Sequence, residues 1–412
     1  MRSLRRLTAA LFIVACTAAP ADAARRGPGG ERPPSTCAAL AASFAAIAAK
    51  PDAGRRAAAV DTLWADLCRD GRVPFVAGDS VVFLFRGEAS GVAFPGDANG
   101  WDPAAAPAVR VPGTDVWARV ETFPRDARLD YKIVTDGKTW LMDPVNPHRQ
   151  RGGFGDNSEL RMPDWRPSPW TVRRDDGPHG QVIPATIRSE ALGATIAYSV
   201  YVPAGFDSLG ALPVIYVTDG HEYADPAMGA MVEVLDNLIA AGRLRPIAAV
   251  FIDPRIDGAN RRADQYIMNE DFVRFVAREL VPAIDSHGRT SRDRRDRAIL
   301  GTSLGGLNAA WFAAQAPDVF GRIAIMSPAF QAGDGRILAV WRDQPRRDLD
   351  LVLTWGTFAD FGEHTRRFIA LLDDHGYAYR TIVTHEGHSW GQWRALLDDI
   401  LTVFWPGEGA AR

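Results

Sequence analysis

From residue 194 onward, short apolar runs alternate with amphipathic stretches, and no other feature constrains the fold of this chain as much. The runs "ATIAYSVYVP", "LPVIYVTDG", "IAAVFID", "RAILGTSLGG", "GRIAIMSPAF", "DLDLVLTWGT" and "YRTIVTHEG" read as strands. Between them, "GAMVEVLDNLIAAGRL", "NEDFVRFVARELVPAIDSH", "LNAAWFAAQAPDVF" and "EHTRRFIALLDDHGY" read as helices. Strands joined through helices pair in parallel, and strands apolar on both faces require helices on both sides of the sheet. The expectation is an α/β domain with a mostly parallel sheet over residues 181–412.

The 412 residues hold more than one such domain. From residue 80 the period changes to two in "SVVFLFRG", "SGVAFPG", "VWARVETF" and "LDYKIVTDG", which predicts a small all-β sandwich over residues 80–165. Ahead of it, Cys37, Leu40, Phe44 and Ile47 recur at helical spacing, as do Val60, Leu63, Trp64 and Leu67, with the turn "KPDAG" between. This helical hairpin lies within residues 25–79, behind the flexible leader "GPGGERPPS". Folding it back places Cys37 beside Cys68, and a disulfide between them is expected, with two buried thiols as the alternative. Residues 166–180, rich in proline and charge, read as a linker.

At the start, Arg2, Arg5 and Arg6 precede the apolar "LTAALFIVA" and the small residues Ala21, Ala23 and Ala24. This pattern predicts an export signal over residues 1–24 and a periplasmic or secreted protein, a compartment that permits disulfides. The motif "IVAC" gives the alternative of a lipid anchor through Cys16.

Lys plus Arg number 47 against 50 Asp plus Glu, a net charge of -3, so no long-range field favours nucleic acid or an anionic membrane. Phosphate-loop, paired CxxC and HExxH signatures are missing. No transmembrane span, metal or cofactor is expected, and a small or neutral ligand suits the chain better.

The chemistry concentrates in "GTSLG", a G-x-S-x-G pattern between a strand and a helix. A bend this tight strains the serine backbone, and Gly301, Gly305 and Gly306 let strand and helix approach. The bend lifts the Ser303 hydroxyl to a helix N-terminus, where the N–H of Leu304 can receive an oxyanion. A glycine turn with an incidental serine is the bland alternative. A hydroxyl needs a base. Four His follow Ser303, and His388, in the loop of "THEGHSWGQW", is the best placed, with His385 as runner-up; His364 and His375 fall on a helix and at its end. The carboxylate should lie after "LVLTWG", where Asp360 and Glu363 both qualify and Asp360 stands nearer the strand end. A second oxyanion donor is expected from "YVTDGHEYA", at Gly220 or His221. Near the cleft loops, Arg255, Arg261 and Arg262 are either partners for an anionic substrate or solvated charges.

Two resemblances follow from these residues. "FPGDANGWDP", "VWARVE" and "LDYKIVTDGKTWLMDPVNP" resemble glycogen-binding-type carbohydrate-binding modules, and equally the immunoglobulin-like N-terminal domains of siderophore esterases. In either case Trp101, Trp117 and Trp140 are stacking candidates, with Trp117 read as mostly core. Residues 213–406 resemble the esterase branch of the α/β-hydrolases, which includes enterochelin, feruloyl and acetyl-xylan esterases; "AILGTSLGGLNAAWFAAQAPDVFGRIAIMSPAF" and "EGHSWGQWRALL" carry this. The resemblance implies a serine carboxylic-ester hydrolase acting on siderophore or carbohydrate-linked esters, with Ser303, Asp360 and His388 as its triad. Siderophore esterases often have two Gly before the catalytic His, where this chain has Glu386 and Gly387. A non-catalytic glycan- or siderophore-binding protein and an acyltransferase of similar fold are the alternatives.

Overall fold

A computed structural model describes residues 34–360 and 362–408. The export signal expected over residues 1–24, and the alternative anchor at Cys16, lie outside the described residues. Among the described residues, no helix is long and apolar enough to cross a membrane. The chain folds as two compact units, one of Met1–Arg166 with His385–Gly387 and the other of Pro167–Thr384 with His388–Arg412.

The first unit begins with the hairpin α1 (Cys37–Ala48) and α2 (Ala53–Arg69). Thr36 and Asp52 start these helices because their side chains accept the otherwise orphaned N–H groups of Ala39 and Arg55, at 3.0 and 2.8 Å. Ten strands follow: β1 (Phe75–Ala77), β2 (Ser80–Arg86), β3 (Val92–Ala93), β4 (Val109–Arg110), β5 (Val116–Thr122), β6 (Arg128–Tyr131), β7 (Ile133–Thr135), β8 (Thr139–Leu141), β9 (Arg149–Gln150) and β10 (Asn157–Arg161). They form three small sheets, ordered β1-β2-β5-β4, β3-β7-β8 and β6-β10-β9. The alternation in β2 sorts its side chains: Val82 and Leu84 join the buried faces of the hairpin helices, while Phe83 turns to Phe94, Phe123 and Tyr131.

No bond joins Cys37 to Cys68, contrary to the sequence expectation. Cys37 is buried as a small apolar residue in the core that α1 shares with β1 and β2, and Cys68 sits at the rim of the same cluster with burial pushing its thiol pKa up. Trp117 is in the core, as its strand alternation predicts, with its indole N–H on the Gly87 carbonyl. Trp101, at φ 63°, donates to Asp97, whereas Trp140 is 46% exposed.

The second unit is built on eight strands: β11 (Gln181–Ser189), β12 (Ala194–Val202), β13 (Val214–Val217), β14 (Ala248–Ile252), β17 (Arg297–Thr302), β18 (Arg322–Met326), β19 (Asp350–Gly356) and β20 (Tyr379–Thr384). The short pair β15 (Arg255–Ile256) and β16 (Ala259–Asn260) stands outside this sheet. Their order is β11-β12-β14-β13-β17-β18-β19-β20, antiparallel up to the β12–β14 pair and parallel from β14 to β20. Central strands are buried along their whole length because both faces are covered: in β13, Val214 and Tyr216 face one core, Ile215 and Val217 the other. The helices are α3 (Gly220–Tyr223), α4 (Met231–Ala240), α5 (Arg262–Tyr266), α6 (Glu270–Arg274), α7 (Val281–Asp285), α8 (Leu304–Gln315), α9 (Arg336–Asp343), α10 (Gly362–Asp374), α11 (Trp390–Ala395) and α12 (Leu397–Phe404). A single helix was expected over "NEDFVRFVARELVPAIDSH", but a wide π turn at Phe275–Leu280 separates α6 from α7, next to Pro282, which lacks the N–H an α-helix needs.

The stretch read as a linker is folded onto this unit from Pro167. Asn237 on α4 donates to the carbonyls of Trp170 and Val172, and Asp236 accepts from the Gly180 N–H at 2.8 Å. Two polar residues on α4 thus fasten this segment to the unit.

Candidate active site

The strand β17 runs into α8 through Ser303, whose backbone sits at φ 60°, ψ -118°. A side chain in this region costs about 1–3 kcal/mol and persists only when its surroundings impose it. Here the Ser303 N–H donates to the Met326 carbonyl at 3.0 Å, and the Ser303 carbonyl accepts from Ala329 and Leu307 at 2.9 and 3.1 Å. The glycines are sterically required: a Cβ on Gly301 would lie 2.3 Å from the Gly305 carbonyl oxygen, and one on Gly306 would lie 2.6 Å from the Met326 oxygen. Leu304 opens α8, so its N–H is among those a helix leaves without an internal acceptor.

Asp360 ends the turn after β19, buried, with its Oδ1 2.7 Å from His388 Nδ1. Its Oδ2 accepts from the Ser327 hydroxyl at 2.7 Å and the Gly356 N–H at 2.5 Å. Ser327 in turn accepts from the Trp393 indole N–H at 2.9 Å, and the Trp393 ring meets His388 edge to face, centroids 4.8 Å apart. The carboxylate therefore has one oxygen fixed by donors and one turned to Nδ1 of the imidazole. Glu363, the other carboxylate in this stretch, points away on α10 to Arg367 and is 66% exposed. His385 lies in the first unit, paired with Asp126 at 2.8 Å.

The "DGHEYA" loop bends at Asp219 (φ 55°) into α3. A Cβ on Gly220 would fall 2.3 Å from the Ile252 nitrogen, so only glycine lets this loop lie against β14. Arg262 braces the bend: its Nε reaches both Asp219 oxygens at 2.8 and 2.9 Å, and its Nη2 donates to the Thr302 carbonyl, the residue before Ser303, at 3.1 Å. The Tyr266 hydroxyl accepts from the Asp219 N–H at 2.8 Å. Burial raises the Asp219 pKa against the pull of Arg262, lowers that of His221, and together with Asp219 pushes Glu222 up to about 7. Of the three arginines considered for an anionic substrate, Arg262 is thus engaged inside the fold, Arg255 is paired with Asp253, and Arg261 lies 3.5 Å from Asp264.

The structure brings Asp360 and His388 into contact and gives Ser303 the strained strand-to-helix bend. Sequence reasoning missed Ser327, Trp393 and the Asp219–Arg262 brace. Ser327 follows an apolar strand like many loop serines, and only its position across the sheet from Asp360 gives it meaning.

A sheet of this order, with a serine in the sharp turn after its central strand and an acid–histidine pair beyond later strands, defines an α/β-hydrolase. Residues 189–404 match the family described as Putative esterase, and the chain belongs to that family. It is 26% identical over 220 residues to an endo-1,4-beta-xylanase/feruloyl esterase of Xylanibacter ruminicola, covering 52% of this chain and 30% of that one. It is 30% identical over 252 residues to an iron(III) enterobactin esterase of Escherichia coli, covering 54% of this chain and 60% of the relative. The match thus spans less than two thirds of either relative. Among solved structures, ferric enterobactin esterase from Salmonella typhimurium shares the fold, with a TM-score of 0.68 over 79% of this chain and 93% of that one at 21% identity.

Proposed function

We propose that the protein is an exported serine esterase that hydrolyses carboxylic esters through an acyl-enzyme. The observation that carries this reading is the conformation of Ser303, a strained backbone at the head of α8 held by hydrogen bonds to β18 and the segment after it. The Asp360–His388 pair supports it.

Ser303 Oγ attacks the ester carbonyl carbon while His388 Nε2 takes the hydroxyl proton. Asp360 holds the imidazole by Nδ1 and stabilises the imidazolium that forms. The carbonyl oxygen becomes an oxyanion received by the N–H of Leu304 and by that of Gly220 or His221. Collapse breaks the ester C–O bond, and the alcohol leaves with the proton from His388. Water, deprotonated by the same nitrogen, then releases the acid and restores Ser303. No cofactor enters the cycle.

Siderophore esters of the enterobactin type and carbohydrate-linked esters are the substrate classes supported by the names of the relatives. Exposed Trp140 is the remaining stacking candidate for a glycan in the first unit. Ser303→Ala is expected to abolish p-nitrophenyl butyrate hydrolysis and fluorophosphonate labelling while keeping the native circular dichroism spectrum. Undiminished turnover in that variant would overturn the proposal. A panel of ferric enterobactin, feruloyl-arabinose and acetylated xylan then assigns the substrate class.

A further inference from the structure

Ser303 and Asp360 are held by the same short segment, residues 326–329 at the end of β18. Two of its backbone groups hold the serine: the Met326 carbonyl accepts the Ser303 N–H at 3.0 Å, and the Ala329 N–H donates to the Ser303 carbonyl at 2.9 Å. The fit is close, since a Cβ on Gly306 of α8 would meet the Met326 oxygen at 2.6 Å and Pro328 Cα at 3.0 Å. Between these contacts lies Ser327, fully buried and at φ 40°, a backbone region that a residue with a side chain adopts only under constraint. Its N–H is tied to the Thr354 carbonyl of β19 at 2.7 Å.

The Ser327 hydroxyl has one proton and two oxygens in reach, Asp360 Oδ2 at 2.7 Å and Gln392 Oε1 at 3.0 Å. The nearer belongs to the carboxylate, and a charged acceptor makes the stronger bond, so the proton goes to Asp360. Ser327 Oγ accepts in turn from the Trp393 indole N–H at 2.9 Å. The Trp393 ring stands edge to face against His388, which meets Asp360 Oδ1 through Nδ1 at 2.7 Å. Trp393, Ser327, Asp360 and His388 thus close a ring of contacts, all within the second unit. Each member of such a buried network depends on its partners being kept.

We propose that Ser327 is a positioning residue: the backbone on either side of it holds Ser303 while its hydroxyl holds Asp360, so that one segment sets the nucleophile and the acid in a common frame, and Asp360 in turn sets His388. This rests on the triad reading and adds to it a residue that acts only through Asp360. Removing the hydroxyl takes from Asp360 Oδ2 one of its two donors and from the buried Trp393 N–H its acceptor. The carboxylate and the imidazole then shift, while the N–H groups of Leu304 and Gly220 stay in place. A displacement of about 1 Å in a catalytic group costs up to about a hundredfold in rate.

The test measures kcat, KM, the fluorophosphonate labelling rate and circular dichroism in the full chain for Ser327→Ala, for Trp393→Phe, and for Ser327→Ala combined with Asp360→Asn. Ser327→Ala is expected to lower kcat and the labelling rate by about tenfold or more with KM within about twofold of wild type. Trp393→Phe keeps a ring beside His388, removes the N–H, and is expected to lower kcat by a smaller factor without raising KM; it carries the test if Ser327→Ala does not fold. In the Asp360→Asn background, Ser327→Ala is expected to change the remaining kcat by less than about threefold, because its effect passes through the carboxylate, whereas a general loosening of the structure would cost as much there as in the wild type. An unchanged kcat in folded Ser327→Ala or in Trp393→Phe, a rise in KM alone, or an undiminished loss in the Asp360→Asn background would each overturn the proposal. An active Ser303→Ala would instead overturn the triad reading, which separates the two failures.

Discussion

Replacing Asp360 by Asn is expected to disable the base without dismantling its surroundings. Oδ2 of Asp360 is held by two donors, the Ser327 hydroxyl and the Gly356 N–H. An Asn amide placed there must keep its oxygen on that side, since an NH2 group would face the Gly356 N–H. The NH2 group then points at His388 Nδ1, now 2.7 Å from Asp360 Oδ1, and forces that nitrogen to accept. The ring proton moves to Nε2, the position that must accept from Ser303. The wrong tautomer costs about 10⁴ in kcat, or about 5.5 kcal/mol of transition-state stabilisation at about 1.36 kcal/mol per decade. Stability falls by less, about 1.5–3 kcal/mol, the contribution of hydrogen bonds to a charged group. Initial rates with saturating p-nitrophenyl butyrate, with urea denaturation in parallel, separate the two effects. Glu363→Gln, which only loosens an exposed pair with Arg367, serves as the control and should stay within about twofold of wild type. If Asp360→Asn retains more than about a tenth of kcat, or Glu363→Gln loses more, the acid has been assigned wrongly.

The strain at Ser303 has a thermodynamic signature: Ser303→Gly should be more stable than Ser303→Ala by about 1 kcal/mol, because only glycine occupies φ 60°, ψ -118° without a Cβ clash. Equal urea midpoints would show that the backbone there is relaxed. Glu386 predicts a pH effect on stability. Burial, with Glu159 and Asp130 adding to it and Arg128 opposing, holds the carboxyl proton up to about 7, against an unfolded value of about 4.3. Between those values the folded state binds the extra proton, so this group's contribution falls as pH rises through the window and is lost above it. Glu386→Gln should therefore gain on wild type between pH 5 and pH 8 by roughly 1–3 kcal/mol, and a gap independent of pH would contradict the environment described for Glu386.

The second unit was legible in the sequence because its signals are local. Apolar runs such as "VIYV" and "RAILGT" are buried on both faces and needed only their length and flanks to be read, and the glycines at 301, 305 and 306 mark a close approach that any larger side chain would block. The choice between Asp360 and Glu363 could not be made that way. It depends on which side of a turn faces β18, where the Ser327 hydroxyl and the Gly356 N–H both donate to Asp360 and favour it over Glu363. At residues 166–180 proline and charge marked a linker but not its partners, since Asp236 and Asn237, which hold part of it, lie more than fifty residues away. The sequence misled at Cys37 and Cys68, where a shared hairpin end suggested a bond and the shared core accommodates two thiols.

The central claim is that an acyl group passes through Ser303, and rapid-quench mass spectrometry of the wild-type protein with a p-nitrophenyl ester tests it most directly. The account predicts a burst of p-nitrophenol close to one per active site and a transient acyl mass on the peptide that contains Ser303, absent in Ser303→Ala. Turnover with no acyl mass on that peptide, or an acyl group trapped on another residue while Ser303→Ala remains active, would contradict it.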